Sequence, residues 1–568
     1  LLKGYFTIQD RDDPREIREK VTGKLLTLDS AVQPTLPAFL ALLDVPVDDA
    51  AWRALDPPQR RQRTLDAVRR CLLREAREHP LLLIFEDLHW IDSETQALLD
   101  GLVETLATAS LLLLVSYRPE YQHGWGSKTY YSQLRLDVLP VEPAGEFLDE
   151  LLGEDPGLAP LKQLLVKRGN PFFLEETVRT LVETQALAGE RGEYRLTQSV
   201  HAIQIPPTVQ AMLAARIDRL APEDKRLLQT ASVIGKDLPV ALLQAIVETD
   251  ETAMRAGLAR LQAAEFLYEV QLPRETEYTF KHALTHEVAY GELLPERRRE
   301  LHAGIVFAIE TLYGDRLGEQ TERLAHHALR GELREKAVHY LRQAGLKAAA
   351  RSAPQGARGW FERALSVLEA LPESPSTLEQ GFEIRLELRP VLAGLGEVRR
   401  ILERLREAEA LAEKLNGDGR QGRVAAVLMS AHSHLGELDE ALVTGTRALE
   451  IAGRLGDLRL RILTTTYLEQ AHYHRGDYQR VVKLAIDNLA ALPADWVYEY
   501  FGTVLLISVF VRYWLFLSLA ELGRFAEAAQ YETEALRLAE PTQRAYTVGL
   551  AHAGAGRLHL LKGDWAKA

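Results

Sequence analysis

Cysteine is nearly missing from this chain: Cys71 stands alone among 568 residues, so no internal disulfide can form. That excludes a covalently stapled secreted scaffold and points to a reducing compartment, the cytoplasm, or at least to a fold that needs no covalent staple. Aromatic residues are sparse at 7%, yet hydrophobic residues at 46% and charged residues at 26% are ordinary globular values, which excludes a disordered or fibrous chain. Cationic excess is missing too, and the net charge of -13 weighs against a membrane surface or a nucleic acid as partner of the whole chain. The N-terminus has no charged start followed by an apolar core and a cleavage site, so no signal peptide is read there. Its opening, Leu1-Leu2-Lys3-Gly4 without an initiator Met, reads as the middle of a longer protein. Long uninterrupted apolar runs are absent as well. Val504 to Ala520 comes nearest, but Arg512 sits near its centre, so a buried helix is expected there and not a membrane span. Finally, no Gly-x-x-x-x-Gly-Lys followed by Ser or Thr occurs. Thr22-Gly23-Lys24 has Arg18 where the first Gly belongs and Leu25 where the hydroxyl belongs, and it reads as an ordinary turn.

What is present fits about three to four domains by length. Residues 1 to 80 are mostly helical in pattern, with a loop expected at Asp56-Pro57-Pro58. Leu81 to Phe85 and Leu111 to Val115 are continuous apolar runs too short for buried helices, so they read as strands covered on both faces. Between them, Ser93 to Ala107 has cap candidates in Ser93 and Thr95 and apolar residues at helical spacing, which makes a parallel crossover unit. Gly169-Asn170-Pro171 opens another helix, with Asn170 as N-cap and Pro171 at the first helical position. From Ile205-Pro206-Pro207 three amphipathic helices are expected, then alternation around Glu277 to Phe280 that reads as a β-wing. Four turns align further on, at Gly436, Gly476, Gly523 and Gly563, with spacings of 40, 47 and 40. Each has an apolar residue two after the Gly, and Leu449, Leu489 and Leu536 each fall thirteen after theirs. Such helical pairs bury half a face each and must stack, as in a tetratricopeptide-like solenoid with long units. The sequence stops inside the fourth unit, so truncation at both ends is expected.

Two acids close the first strand. Glu86 and Asp87 fall at the carboxyl edge of a parallel sheet, where α/β folds bind ligands, and acids there can hold Mg²⁺ through water and orient an attacking water. Read alone, the same acids also suit a strand followed by a capped helix. The second apolar run continues as a strand expected to end in Arg118, where Pro119 stops it, on the same edge, and the planar fork of Arg118 could sense a terminal phosphate or simply face solvent.

The order FEDLHWID, SYRPEY, GNPFFLEE, a helical unit with FKHAL and then tetratricopeptide-like repeats resembles the STAND signal-transduction ATPases. It is most similar to the AAA-type ATPase region of multidomain adenylate or guanylate cyclases and large LuxR-type regulators. The resemblance implies a P-loop-type α/β core over 1–140 lacking its Walker A loop, a helical lid over 141–204, a winged-helix unit over 205–315 and truncated repeats over 316–568. It implies ATP or ADP with Mg²⁺ as cofactors, Glu86 as the metal-side acid, Asp87 as the water-polarising acid and Arg118 as the sensor. Pro171 in the Gly-Asn-Pro turn would pack against the base, and His282 would contact phosphates in a closed state. Glu86 departs from the Asp more usual there. The implied activity is an ATP-driven signalling switch whose phosphate loop lies upstream of Leu1, leaving these residues inactive alone, with a cyclase effector elsewhere in the protein. A protein kinase or LuxR-type effector, or an interaction scaffold with a decayed ATPase, are the alternatives. A protein or small-molecule ligand on the repeats and oligomerisation on activation are expected as partners, with no membrane.

Other clusters read more plainly. His286, His326 and His327 lack Cys or carboxylates at metal-ligand spacing, and Arg297-Arg298-Arg299, flanked by Glu296 and Glu300, reads as a solvated helix face instead of a nucleic-acid contact. His282 taken by itself reads as a core histidine.

Overall fold

The computed structural model describes every residue except 10–11, 201–204, 272–275 and 504, so the first residue of the Val504 to Ala520 stretch and the end of the expected lid lie outside the described residues. The chain divides into two compact units, one formed by Leu1–Tyr131 with Val338–Ala568 and the other by Ser132–Ala337.

In the first unit, two aspartates decide where long helices begin. Asp13 accepts the amides of Arg15 and Glu16, both at 2.8 Å, while Glu16 returns a bond to the Asp13 amide, and Pro14 starts the helix Pro14–Leu28. This capping box satisfies donors that the helix leaves free. Asp56 builds a second box with Gln59 and starts Pro57–Glu78. Two expectations are thereby corrected: Pro57-Pro58 opens a helix where a loop was expected, and Thr22-Gly23-Lys24 lies inside a helix where a turn was expected. Lys24 is occupied there by Glu75 at 3.1 Å and by the Tyr5 ring at 4.8 Å.

Strand β1 (Leu81–Phe85) and strand β2 (Leu111–Val115) pair in parallel, Leu81 opposite Leu111 through Phe85 opposite Val115. The helix between them, Ser93–Val103, is capped by Asp92, one residue before the expected Ser93, through the amides of Glu94 at 2.9 Å and Thr95 at 3.0 Å. One sheet face joins the core of Val68, Leu72, Leu83 and Leu102. The other face is bare: Leu82, Ile84, Leu112 and Leu114 are 53%, 54%, 64% and 52% exposed. The expected cover on both faces is thus half realised, because among the described residues only one layer of helices reaches the sheet.

The second unit begins with helices Val141–Leu152, Ala159–Val166 and Pro171–Glu183 around Leu148, Leu152, Leu161, Phe173 and Leu174. Four helices follow where three were expected, Val209–Asp218, Pro222–Ile234, Val240–Ile246 and Glu251–Ala263. A short strand Asp237–Pro239 pairs with Thr276–Phe280, which pairs in turn with Leu267–Gln271, all antiparallel. Helices Ala283–Gly291, Pro295–Leu312 and Thr321–Arg330 complete it.

From Val338 the first unit continues as antiparallel helical pairs. Gly436, Gly476, Gly523 and Gly563 all take the left-handed conformation at the ends of their helices, as the aligned turns require, and Gly396 adds a fifth turn of the same kind 40 residues before Gly436. The helix Ile507–Glu521 is buried along nearly its whole length, and Arg512 inside it pairs with Glu534 at 2.9 Å. Among the described residues no helix is long and apolar enough to cross a membrane. The architecture is therefore a small parallel α/β sheet, a mixed helical unit with an antiparallel sheet, and an all-α tetratricopeptide-like solenoid.

Candidate functional site

The register of β1 and β2 places Glu86 level with Ser116, one residue beyond each strand. The two strand ends are joined by main-chain bonds, Ser116 N–H to Phe85 O at 3.0 Å and Leu88 N–H to Ser116 O at 2.9 Å. Asp87 between them adopts a left-handed conformation with φ of 56°. An Asp tolerates that region better than most residues, and held there it turns away from the strand direction. Its amide donates to the Ser116 hydroxyl at 3.1 Å, which fixes the turn. Both acids are exposed at the carboxyl edge of the sheet.

The expected strand end at Arg118 needs correction. β2 stops at Val115, and Arg118 stands three residues further on, its guanidinium 5.8 Å from the Trp90 ring centre. Trp90 belongs to the turn after the acids, so a cation–π contact brings Arg118 toward the acid turn. His89 in the same turn is half-buried with both ring nitrogens unpartnered among the described residues. Behind Arg118, Tyr117, His123 and Tyr131 form a polar aromatic knot, with Tyr117 Oη and Tyr131 Oη 2.7 Å apart and His123 stacked on Trp125 at 4.7 Å. Burial first, then the bond from Tyr117, pushes the Tyr131 phenol up to about 12.

In the second unit, Asn170 accepts the Phe173 amide at 3.1 Å and Pro171 occupies the first turn, so the Gly-Asn-Pro helix start forms as read. Gly169 has φ of 61°, and a Cβ there would lie 2.9 Å from the Leu139 carbonyl oxygen, so this turn admits no side chain. His282 occupies the N-cap position of the helix Ala283–Gly291 without a side-chain capping bond, and its ring lies 4.1 Å from that of Phe172, the residue after Pro171. The Gly-Asn-Pro turn and His282, 111 residues apart from Pro171, are thus brought together. Burial pushes the His282 imidazole below its ordinary value against the pull of Glu176.

Sequence reasoning missed the charge network beneath this turn. Glu176 and Arg216 are both buried and paired, Arg216 also bonds Glu183 at 2.9 Å and the Ala264 carbonyl at 2.9 Å, and it lies 4.7 Å over the Phe266 ring. Arg179 joins through Glu176 at 2.8 Å and through Glu265. A charge pair buried this way holds its place only when every remaining donor is also met, and here it ties the Gly-Asn-Pro helix to the antiparallel-sheet region. An acid on the inner face of a helix and an Arg 40 residues later were the only signals available.

The remaining candidates are occupied structurally. His302 Nδ1 faces His327 Nδ1 at 2.8 Å, and the Tyr290 hydroxyl lies 3.0 Å from His302 Nε2. Burial, with neighbouring histidines and arginines, pushes His302 down to about 4 and His327 down to about 2, so both are neutral at neutral pH. Arg297 pairs with Glu300 at 3.0 Å and Arg299 with Glu332 at 3.2 Å. Among the described residues no group of three or more His, Cys, Asp or Glu side chains could hold a metal ion. The acid edge can therefore offer Mg²⁺ one or two carboxylates, which suits an ion whose other ligands are phosphate oxygens and water.

Residues 13–115, which contain the acid edge and both strands, match the family of AAA ATPase domains. An uncharacterized protein of Rhizobium meliloti (strain 1021) is 26% identical over 345 residues, a match covering 60% of this chain and 33% of that protein. The chain thus spans about a third of the curated relative's length. Among solved structures, a Signal Transduction ATPase with Numerous Domains (STAND) protein with a tetratricopeptide repeat sensor from Pyrococcus horikoshii is 12% identical, with 94% of this chain and 85% of that chain covered and a TM-score of 0.32. A Rap protein complexed with competence and sporulation factor is 13% identical, with 50% and 79% covered and a TM-score of 0.32.

Proposed function

We propose that this chain is the regulatory ATPase module of a signalling switch. The carrying observation is the acid turn: Glu86 and Asp87 at the carboxyl edge of paired parallel strands, pinned by Ser116, inside the segment matched by the AAA ATPase family. In this reading Glu86 faces the metal of a Mg-nucleotide, and Asp87, fixed in its left-handed turn, accepts a proton from the attacking water and orients it. Arg118 pairs with the terminal phosphate. The bound metal would supply charge neutralisation between phosphates.

The Gly-Asn-Pro turn and His282 form a separate candidate contact for nucleotide, within the other unit. A neutral imidazole can donate one N–H to a phosphate oxygen, and Pro171 presents a flat apolar surface to a base. The antiparallel sheet with its helices carries the element order of a winged helix, and the Glu176–Arg216 network would make the Pro171–Glu183 helix and that winged unit respond together. The domain limits stay those of the resemblance, 1–140, 141–204, 205–315 and 316–568. The repeats would take a protein or small-molecule ligand, and the output would be a nucleotide cyclase beyond these residues in a cytoplasmic protein. A scaffold with a decayed ATPase is the second reading, favoured by the absence of a phosphate-loop motif from these 568 residues.

Asp87→Asn in the natural protein separates the two. It keeps shape and removes the proton acceptor, so single-turnover ATP hydrolysis should fall by about 100-fold or more while nucleotide affinity changes little. Hydrolysis that is absent in the parent supports the scaffold, and hydrolysis that is present but unchanged in the variant removes Asp87 from the catalytic role.

A further inference from the structure

A cavity of about 680 Å³ opens in the N-terminal helical layer, apart from the acid edge. Its walls are the turn Ser30–Thr35, the start of the helix Leu36–Leu42, the helix Ala50–Ala54 and one face of Pro57–Glu78. The volume falls in the range of small-molecule sites, about 300 to 1,000 Å³. Its lining mixes polar and apolar surface, the apolar part coming from Leu36, Pro37 and the nearly buried Ala38, Ala67 and Trp52.

The charges on its wall are unequal in what they have left to offer. Asp49 is spent on capping, accepting the Trp52 amide at 2.7 Å, and Asp66 is held by Arg69 at 2.8 Å. Arg63 and Arg70 also line the cavity, and both are exposed. Neither has an ion pair or a hydrogen bond among the described residues. Seven residues apart on one helix, they lie on the same face with backbones about 10 Å apart, a gap that two long side chains can close on one anion. A mixed lining that includes Leu36 and Trp52 beside two free guanidinium groups suits a molecule with a small apolar body and one anionic group. Asp49 and Asp66 on the same wall repel a polyphosphate, so the complement is a single carboxylate or sulfonate.

We propose that this cavity is a binding site for a small amphipathic organic acid, with its anionic group held by Arg63 and Arg70 and its apolar body on Trp52 and Leu36. A matched pair of probes tests it: 8-anilinonaphthalene-1-sulfonate, and N-phenyl-1-naphthylamine, which has the same rings without the sulfonate. Equilibrium dialysis against the 568-residue chain should show a saturable high-affinity site for the sulfonate, with the neutral dye at least tenfold weaker. Arg63→Gln with Arg70→Gln should weaken the sulfonate by tenfold or more, the loss of at least one charge-assisted hydrogen bond, and leave the neutral dye within twofold. Ala51→Trp, placed at an exposed position on the rim, should abolish that site for both dyes. All three substitutions are at exposed positions, and unchanged circular dichroism confirms that the variants fold. Sulfonate binding that survives either variant, or that matches the neutral dye, overturns the proposal; the first result would move the dye to another surface, such as the bare face of β1 and β2.

Discussion

The parallel sheet of β1 and β2 and the helical repeats are both built of layers that cannot bury their apolar faces alone, and within the first unit they meet that need unequally. In the repeats the inner layers cover one another: Phe516, Leu515 and Leu517 are completely buried between helices, while the last helix leaves Leu560 48% exposed. In the sheet, Leu83 is 6% exposed while Leu82 and Ile84 beside it stand more than half exposed. Polar groups follow the opposite rule. The sheet keeps Glu86 and Asp87 in solvent, and the repeats bury Glu469, Asn488, Thr464 and Thr466. An edge proposed to meet a charged ligand keeps its acids hydrated, whereas the interior of a stack can bury an acid, provided the acid is neutral or bonded.

The largest effect should come from deleting the same kind of apolar bulk in the two places. Phe516→Ala removes a fully buried ring and should lower unfolding free energy by about 3 to 5 kcal/mol, whereas Leu114→Ala on the bare face should cost less than about 1 kcal/mol. Urea unfolding of both variants reads the difference. Equal losses would mean that the face of β1 and β2 is covered in solution, and the comparison would break.

A smaller effect sharpens the polar half. The Asn488 amide nitrogen donates to Glu469 Oε1 at 3.1 Å, Thr466 Oγ1 at 3.1 Å and the Ile462 carbonyl at 3.2 Å, while Glu469 Oε2 has no partner among the described residues. Burial pushes the Glu469 carboxyl well above the usual carboxylate range. The folded state therefore binds its proton more tightly than the unfolded state does, so the stability it contributes is complete below the ordinary carboxylate value. That contribution falls as pH rises toward the raised one, at about 1.4 kcal/mol per pH unit. Glu469→Gln has no proton to lose. Its melting temperature should exceed the parent's increasingly as pH rises from 5 to 9; parallel curves would show an ionised or solvated Glu469.

How much of this was legible follows from how local each signal is. The crossover from β1 to β2 could be read because two apolar runs of five and a helical period between them lie within 35 residues. The repeat turns could be read from Gly-x-apolar spacing. Gly396 escaped because Glu409 stands thirteen residues after it, where the other complete units have Leu. Helix starts at Asp13-Pro14 and Asp56-Pro57 are also local, but proline there suits a loop equally well until the capping bonds are seen. The acid pair was visible as residues at the end of a strand. Its left-handed turn and the Ser116 bond were not, since they depend on the register between strands. Nor was the Phe172–His282 contact, which two elements far apart in sequence make only after the second unit folds. The bare sheet face was misjudged for a related reason: an apolar run states that a surface needs cover, not what covers it.

The smallest effect concerns the place where the two regions touch. Asp44, with φ of 59°, ends the turn after Leu36–Leu42 and accepts two bonds from Arg351, Nε at 3.1 Å and Nη2 at 2.5 Å, with Lys347 at 3.6 Å. Arg351 follows the helix Arg334–Ala350, so this contact joins the ATPase-matched segment to the start of the repeats. Both side chains are 32% exposed, where solvent screens much of the attraction. A paired fork of two bonds is nevertheless at the strong end for such sites. A double-mutant cycle with Asp44→Asn and Arg351→Gln should give a coupling of about 0.5 to 1 kcal/mol, falling as salt is raised from 0.05 to about 0.5 M because the Debye length shortens. If the sheet and repeats respond to one another, the same variants should also bring limited proteolysis to the 42–50 turn and to residues 351–353 together. A coupling of zero at low salt would mean that Asp44 and Arg351 do not join the two regions, leaving the packing of Ala41, Leu42 and Trp52 beside Ala350 as their contact there.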